Sequence, residues 1–181
     1  MSPMRRLPGD PSRAETVARM IRVDHAGEYG AARIYDGQLA VLGTSAVAPI
    51  IRGMADQEKR HLAAFDRLVV ERRVRPTALS PLWHAAGFAL GAATALLGER
   101  AAMACTVAVE EVIDEHYRAQ LETLGGEEPE LAAAIEEFRG DERAHRDTGI
   151  AHGAEDAPGY PVLSAAIKAG SRLAIWLSTR L

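Results

Sequence analysis

Two E-x-x-H motifs in this 181-residue chain each follow a lone glutamate, at separations of 30 and 32 positions between the glutamates. Such separations suit two antiparallel helical hairpins. Each hairpin then offers a carboxylate from its first helix and a carboxylate with an imidazole from its second, and residues three apart on a helix face the same way. The pattern predicts a site for two metal ions. Its candidate ligands are Glu28, Glu58, His61, Glu110, Glu142 and His145.

The four glutamates lie on the apolar side of their predicted helices. Steps of three and four residues place Glu58 on one stripe with Met54 and Phe65, for example, and the other three share comparable stripes. Burying an uncompensated carboxylate is very costly, so such groups protonate or find a partner. Two divalent ions would balance four glutamates. A solvated helix face is the alternative interpretation, and it suits other glutamates such as Glu111 and Glu115.

The donor atoms indicate which metal this site would bind. Carboxylates with two imidazoles and no thiolate suit iron or manganese better than zinc, which prefers sulfur and nitrogen in closed structural sites. Ligand type alone does not separate iron from manganese. Iron is the choice if dioxygen is a reactant.

The composition predicts one all-α domain over residues 1–181. The chain is 48% hydrophobic, rich in helix-forming residues, and long enough to bury one substantial core. A formal net charge of −4 disfavours nucleic acid as a partner. The single cysteine, Cys105, excludes an internal disulfide framework and is expected to pack between helices. Residues 1–12 read as a flexible leader, with Asp10 or Ser12 capping the first helix.

An uncharged stretch separates the two predicted hairpins. No Asp, Glu, Lys or Arg occurs from Pro76 to Gly98, and we delimit the apolar segment as residues 79–98. After Pro81 it is somewhat short of the ~20 apolar residues that span a bilayer. Two interpretations remain: a crossover helix buried on the bundle, or a membrane-facing surface that dips into one leaflet. We favour the second.

The last segment, residues 160–181, reads as an amphipathic helix. Its apolar stripe runs from Leu163 to Leu181, and Lys168, Arg172 and Arg180 supply positive charge. Such a helix suits a membrane surface with anionic headgroups, although packing on the bundle is the alternative. Together with segment 79–98, it favours an apolar substrate or a membrane surface.

Five runs resemble the demethoxyubiquinone hydroxylase family, and the similarity extends from about Arg22 to the end of the chain. They are RVDHAGEYGAARIYDGQLAVLG, DQEKRHL, RVRPTALSPLWHAAGFALGAATALLG, MACTVAVEEVIDEHYRAQL and AGSRLAIWLSTRL. The resemblance implies a ferritin-like four-helix bundle and a di-iron monooxygenase of ubiquinone biosynthesis. The family's iron ligands fall on the same six residues. Its histidine-tyrosine pair falls on His116 and Tyr117, for which the resemblance implies catalytic roles, either beside the substrate or behind the metal ligands. The alternatives are a histidine on the flank of the helix and a core aromatic.

Cofactor, partners and location follow from the same resemblance. We expect two Fe²⁺ ions per chain, dioxygen as co-substrate and a demethoxyubiquinol carrying a polyprenyl tail. The chain has no flavin, nicotinamide or iron-sulfur motif, so the electron donor is expected to be external. We also expect peripheral attachment to the cytoplasmic side of a bacterial cell membrane, or to the matrix side of the mitochondrial inner membrane. An accessory lipid-presenting protein and a homo-oligomer are further expected partners.

Two other functions would use the same ligands. A ferroxidase or iron-storage bundle would oxidise soluble ferrous ions, but it gains nothing from an uncharged stretch beside the site. A non-catalytic, membrane-associated bundle would use metal only to hold its fold. In that case, glutamate-to-alanine changes would alter stability without removing a turnover step.

Overall fold

The computed structural model of the chain describes residues 9–181, and these form six α-helices, one short 3₁₀ turn and no strand. This confirms the all-α fold. The predicted leader lies largely outside the described residues, since residues 1–8 are not among them. The helices are α1 (Arg13–Leu42), α2 (Ala48–Glu71), α3 (Ser80–Leu96), α4 (Glu99–Leu124), α5 (Pro129–Ala151) and α6 (Tyr160–Ser178), with the 3₁₀ turn at Ala154–Asp156.

The four long helices pair as two hairpins, α1 with α2 and α4 with α5, and together form the bundle. Helix α1 begins at a capping box: the Ser12 hydroxyl accepts from the Glu15 amide, and the Glu15 carboxylate accepts from the Ser12 amide. The turn after α4 uses Gly125 and Gly126 at φ of 60° and 88°, a backbone region that favours glycine. Proline opens α5 at Pro129.

Two apolar clusters fill the bundle on either side of the glutamates. One contains Ile51 and Met103, and the other contains Phe65 and Ile135. Along α2, for example, Glu58 lies between Ile51 and Phe65, so the carboxylates occupy a polar layer enclosed by hydrocarbon. Water is therefore excluded from both ends of that layer.

Helix α3 crosses the outside of α1 at close range through glycines. A Cβ on Gly91 would overlap the carbonyl oxygen of Ile34, and a Cβ on Gly37 would overlap that of Phe88. A Cβ on Gly87 would lie 2.9 Å from the Gly30 carbonyl oxygen. The sequence G-x-x-x-G at Gly87 and Gly91 therefore lets the two backbones approach. One side of segment 79–98 therefore packs on the bundle, and the segment forms a crossover helix.

The other side of α3 faces outward and is apolar. Leu82, Phe88, Leu96 and Leu97 are exposed, and Leu96 retains 75% of its accessible surface. One face of the segment therefore packs on α1, as the crossover interpretation predicts, and the other presents hydrocarbon; the membrane-facing interpretation stays a prediction. Among the described residues, no helix combines the length and apolar character needed to cross a membrane.

Helix α6 lies against α4 and exposes part of its apolar stripe. Leu163 and Ile167 pack on the bundle, whereas Leu173 and Leu181 are exposed. The exposed Trp176 lies beneath the guanidinium of Arg180, 4.3 Å from ring centroid to Cζ.

The basic residues of α6 differ from the sequence expectation. Lys168 forms an ion pair with Glu111, and Arg172 forms one of 3.0 Å with Glu115. Two of the three charges assigned to lipid headgroups are therefore matched by carboxylates of α4. The reason is the register of the helices, which places residues four apart on each helix opposite one another.

Candidate metal centre

The six predicted ligands converge in the middle of the bundle. Their side chains are all 2% exposed or less. They form two overlapping groups whose ligand atoms lie within 4.8 Å of one another. Glu58 and Glu142 belong to both groups. The first group is completed by Glu28 and His61, and the second by Glu110 and His145.

The shared carboxylates lie between the two histidines. Nδ1 of His61 is 3.2 Å from Oε1 of Glu142, and Nδ1 of His145 is 3.3 Å from Oε2 of the same residue. Glu58 likewise turns Oε1 toward His145 at 3.1 Å and Oε2 toward His61 at 4.0 Å. Each shared glutamate therefore presents one oxygen to each half of the site.

Eight buried atoms of these side chains make no hydrogen bond to any of the described residues. Buried polar atoms are seldom left unpaired, because each loses its hydration without compensation. Their convergence on one small volume fits divalent cations, which would satisfy all of them together. The atoms are Oε2 of Glu28, both carboxylate oxygens of Glu58, Oε2 of Glu110, both carboxylate oxygens of Glu142, and Nδ1 of His61 and His145.

The protonation of the metal-free cluster follows from its burial. Desolvation, reinforced by the charge of Glu142, raises the pKa of Glu58 and Glu110 well above the ordinary glutamate value. Burial also raises the pKa of Glu142. Burial by itself would lower the pKa of His61, but the nearby carboxylates Glu142 and Glu28 outweigh it and raise this pKa to about 11. Without bound metal, these groups therefore keep their protons to higher pH than they would in the unfolded chain.

Two tyrosines hold the lone glutamates from the opposite hairpin. Tyr35 on α1 donates a 2.8 Å hydrogen bond to Oε1 of Glu110 on α4. Tyr117 on α4 donates a short hydrogen bond to Oε1 of Glu28 on α1. Burial raises the pKa of both phenols well above the ordinary tyrosine value, so both remain donors. Each bond leaves the second oxygen of its glutamate directed into the site.

The outer nitrogens of the two histidines are also held across the bundle. Nε2 of His61 lies 3.0 Å from Oδ2 of Asp141, and Nε2 of His145 lies 3.0 Å from Oε1 of Gln57. These bonds fix the orientation of each ring and leave Nδ1 turned toward the glutamates.

Tyr35, Gln57 and Asp141 are absent from the sequence-based set of site residues. A signal for Tyr35 is present in the chain: the motif E-x₆-Y-x₂-Q occurs at Glu28 on α1 and again at Glu110 on α4. In the second copy its tyrosine is Tyr117. The repeat predicts that Tyr35 and Tyr117 play equivalent parts. Gln57 and Asp141 each directly precede the glutamate of an E-x-x-H motif, but this position does not indicate which histidine each one contacts.

The predicted histidine-tyrosine pair separates in the structure. Tyr117 reaches the ligand Glu28, whereas His116 turns to Asp24, with 3.2 Å between Nε2 and Oδ1. Gln120 donates to the same oxygen at 2.7 Å, and burial raises the pKa of Asp24. His116 borders a depression of about 290 Å³ that is separate from the metal ligands. Its role near the substrate stays a prediction.

An apolar groove of about 420 Å³ runs beside the ligands, between α1, α3, α4 and α6. Its walls include Gly27 and Val109, the residues that immediately precede Glu28 and Glu110, together with Leu90 of α3 and Ala174 of α6. The groove therefore passes along the face of the site formed by α1 and α4. It suits a long hydrocarbon chain better than a polar solute.

A helical bundle with paired inward carboxylates and E-x-x-H motifs defines the class of ferritin-like proteins with a dinuclear metal site. Comparison with known sequences identifies one family within this class. Residues 15–178 match the family described as ubiquinone biosynthesis protein COQ7, and the chain belongs to that family.

Relatives from distant organisms carry related names. The chain is 62% identical over 176 residues to the 3-demethoxyubiquinol 3-hydroxylase of Rhodospirillum rubrum, covering 97% of this chain and 83% of that protein. It is 59% identical to the human protein named NADPH-dependent 3-demethoxyubiquinone 3-hydroxylase, mitochondrial, covering 91% and 78%. It is 42% identical to the Saccharomyces cerevisiae protein named 5-demethoxyubiquinone hydroxylase, mitochondrial, covering 94% and 80%. The family resemblance read from the sequence is thereby confirmed.

Proposed function

We propose that this chain is the hydroxylase that adds a ring hydroxyl to demethoxyubiquinol in ubiquinone biosynthesis, and that it works as a di-iron monooxygenase. The observation that carries the proposal is the pair of overlapping ligand groups, with eight unpaired buried atoms, directly beside an apolar groove. The names of relatives that match nearly all of the chain support the same reaction. The substrate class, a ring with a long apolar tail, fits the groove.

Six residues would hold the two irons. Glu28 with His61 and Glu110 with His145 would each serve one ion, and Glu58 and Glu142 would serve both. When bound, the ions would supply the redox chemistry that transfers one oxygen atom of dioxygen to the ring. The other oxygen atom leaves as water, so the reaction consumes two electrons from an external donor. The human relative is named as NADPH-dependent, which supports a nicotinamide as the reductant.

The protein residues position the reactants and exclude water. The groove would align the polyprenyl tail between α1, α3 and α6, and this brings the ring to the side of the site carrying Glu28 and Glu110. Tyr35 and Tyr117 hold these two carboxylates from the opposite hairpin. The apolar clusters above and below keep bulk water away from the reacting centre, which limits the loss of oxidising equivalents to side reactions.

The outward side of α3 and α6 would attach the protein to a membrane surface. Leu96, Leu97, Leu173 and Trp176 are exposed on these helices, and the groove opens between them. A substrate dissolved in the bilayer could then enter without crossing water. The proposed location is the cytoplasmic side of a bacterial cell membrane, or the matrix side of the mitochondrial inner membrane. An accessory lipid-presenting protein or a second copy of the chain would dock on the same surface.

Anaerobic reconstitution with Fe²⁺, followed by one turnover with a short-tailed demethoxyubiquinol and dioxygen, tests the proposal. We expect two irons per chain and hydroxylated product, with one product oxygen derived from ¹⁸O₂. Glu110→Ala is expected to abolish the product. Exposed Glu137, on the outer face of α5, provides the matched control as Glu137→Ala.

Other outcomes separate the alternatives. Two bound irons that oxidise soluble Fe²⁺ in the presence of the quinol, with no hydroxylated product when a reductant is supplied, would indicate a ferroxidase instead. Bound metal that stabilises the fold, without any consumption of dioxygen, would indicate the non-catalytic bundle.

A further inference from the structure

The two histidines of the site are supported by residues of different charge. Nε2 of His61 lies 3.0 Å from the carboxylate of Asp141, and Nε2 of His145 lies 3.0 Å from the side-chain carbonyl oxygen of Gln57. Nδ1 of each ring faces the glutamates, so in the metal-loaded site Nδ1 would bind the ion and Nε2 would carry the proton and donate it to Asp141 or Gln57.

Gln57 and Asp141, which contact the outer nitrogens of the two histidines, occupy equivalent positions in the bundle. Gln57 immediately precedes the ligand Glu58 on α2, and Asp141 immediately precedes the ligand Glu142 on α5. Each residue thus reaches the histidine of the other helix while its neighbour faces the metals. The two distances agree, so the hydrogen bonds of the two halves differ in the charge of the acceptor.

An ionised acceptor and an amide acceptor act differently on an imidazole. A hydrogen bond to a carboxylate draws the Nε2 proton outward, which increases electron density at Nδ1 and makes that nitrogen a stronger metal donor. A neutral amide carbonyl has a smaller effect. The rings also have different neighbours: Phe138 stacks on His61 at 4.2 Å between centroids, whereas the edge of Tyr35 meets His145 at 6.2 Å.

We propose that the two metal positions are chemically unequal, and that Asp141 and Gln57 are the positioning residues that make them so. The position at His61, backed by Asp141, fills first and holds its ion more tightly. The position at His145, backed by Gln57, fills second. The inference rests on the dinuclear site of the proposed function and deepens it by assigning an order to the two ions.

The test is an anaerobic calorimetric titration of the full-length, metal-free chain with Co²⁺, which requires no turnover. We expect two binding steps whose dissociation constants differ by about tenfold or more, the scale on which such outer hydrogen bonds change metal affinity. Asp141→Asn keeps the size of the side chain and removes its charge. It should weaken the first step about tenfold to a hundredfold and leave the second step nearly unchanged.

Gln57→Glu is the reciprocal variant, because it adds a carboxylate behind His145 without changing the size of the side chain. It should tighten the second step. In the double variant the order of filling should reverse. The order of filling is read from the paramagnetically shifted resonance of the exchangeable Nε2 proton at one equivalent of Co²⁺. The resonance is assigned by ¹⁵N-histidine labelling and by comparison with His61→Gln and His145→Gln. Wild type should show the His61 resonance, and the double variant should show the His145 resonance.

The higher affinity of the second step expected in Gln57→Glu distinguishes a change in metal binding from loss of structure. Loss of structure would weaken both binding steps and lower the melting temperature. Equal affinities in the wild type, or an Asp141→Asn effect spread over both steps, overturns the proposal. If Asp141→Asn does not fold, the proposal is tested by Gln57→Glu alone. A second binding step whose affinity is no higher than in the wild type then overturns the proposal. Failure to bind any Co²⁺ or Fe²⁺ refutes the dinuclear site itself, and with it the di-iron reaction.

Discussion

The hydroxyl of Tyr35 crosses from one hairpin to the other and donates to Glu110 at 2.8 Å, and Tyr117 makes the reciprocal bond to Glu28. The lone glutamate of each hairpin is therefore oriented by the other hairpin. This couples the position of the ligands to the packing of the two halves. The site cannot keep its shape if the hairpins separate.

Removal of one of these hydroxyls should leave a ligand carboxylate less firmly oriented without creating a cavity in the core. Tyr35→Phe deletes the donor to Glu110 and leaves the aromatic ring in place. A hydrogen bond to a charged group contributes about 1.5–3 kcal/mol, so we expect metal affinity to fall by about tenfold to a hundredfold. Competition with a chelator of known affinity measures the change.

Tyr29 supplies the control for Tyr35→Phe, because its hydroxyl bonds His84 outside the site. Tyr29→Phe should retain wild-type metal affinity. Equal affinities for Tyr35→Phe and wild type would show that Glu110 is held without the tyrosine.

The stability of the metal-free protein should fall as pH rises. Burial raises the pKa of Glu58, Glu110 and Glu142 above 4.5, so above that pH the folded chain binds more protons at these groups than the unfolded chain. His61, with its pKa raised from 6.5 to about 11, acts in the same direction between those values. His145, whose pKa is lowered by burial, opposes the trend only below 6.5.

Melting curves at pH 5.5 and pH 8 in the presence of a chelator measure this dependence. We expect a lower melting temperature at pH 8 without metal. With Co²⁺ bound, the order should reverse, because metal ligands must lose their protons and affinity rises with pH. A metal-free protein that is more stable at pH 8 would contradict the protonated cluster.

The sequence predicts the convergence of the six candidate ligands because two constraints coincide on the same residues. The E-x-x-H spacing puts Glu58 and His61 on one helix face, and the apolar periodicity identifies that face as the buried one. Both are local properties of one helix. The partners Asp141 and Gln57 are not predictable in this way, because each acts on a histidine of a different helix. Their contacts depend on how the helices are rotated against one another.

Which faces of α3 and α6 point outward could likewise not be predicted from the sequence. Composition indicates that both helices are apolar, but it does not show which face packs. On α3 the glycines Gly87 and Gly91 select the buried face, because only there can the backbone approach α1. On α6 the ion pairs of Lys168 and Arg172 with α4 fix the rotation and leave Leu173 outside. Two of the three basic residues assigned to lipid headgroups, Lys168 and Arg172, thus pair with carboxylates of α4, whereas Arg180 lies over Trp176.

The glycine contact between α1 and α3 should tolerate no side chain. Gly91→Ala would place a methyl group against the Ile34 carbonyl, which forces the helices apart. Overpacking of this kind costs about 1–3 kcal/mol. Urea denaturation of the metal-loaded protein measures the loss.

The control for Gly91→Ala is Gly53→Ala, at an exposed helical position with nothing within 4 Å of the new Cβ. It should stabilise the protein by up to about 1 kcal/mol, because alanine is the better helix former. Similar free energies of unfolding for the two variants would mean that α3 can shift at no cost.

Hydrocarbon exposed on α3 should bind bilayers. We expect Leu96→Ser with Leu97→Ser to reduce the partition coefficient onto phosphatidylcholine vesicles, measured by sedimentation, by about a hundredfold or more, because each buried leucine contributes about 1.5–3 kcal/mol. Both side chains are exposed, at 75% and 69%, so the melting temperature should remain close to that of the wild type. Val70→Ser, at a similarly exposed position on α2, tests whether any exposed aliphatic residue has the same effect. Undiminished binding of the double variant would assign attachment to another surface.

Filling the groove should affect the tail of the substrate more than its ring. Ala174 lines the groove from α6, whereas Ala169 on the same helix is exposed and does not line it. Ala174→Phe should raise KM for a long-tailed demethoxyubiquinol by about tenfold or more and should change KM for a short-tailed one much less, because only the long tail competes for the occupied volume. Metal content should stay at the wild-type value, since no ligand is disturbed. Ala169→Phe should leave both constants unchanged. An equal rise for the two substrates in Ala174→Phe would place the tail elsewhere and leave the groove to the ring alone.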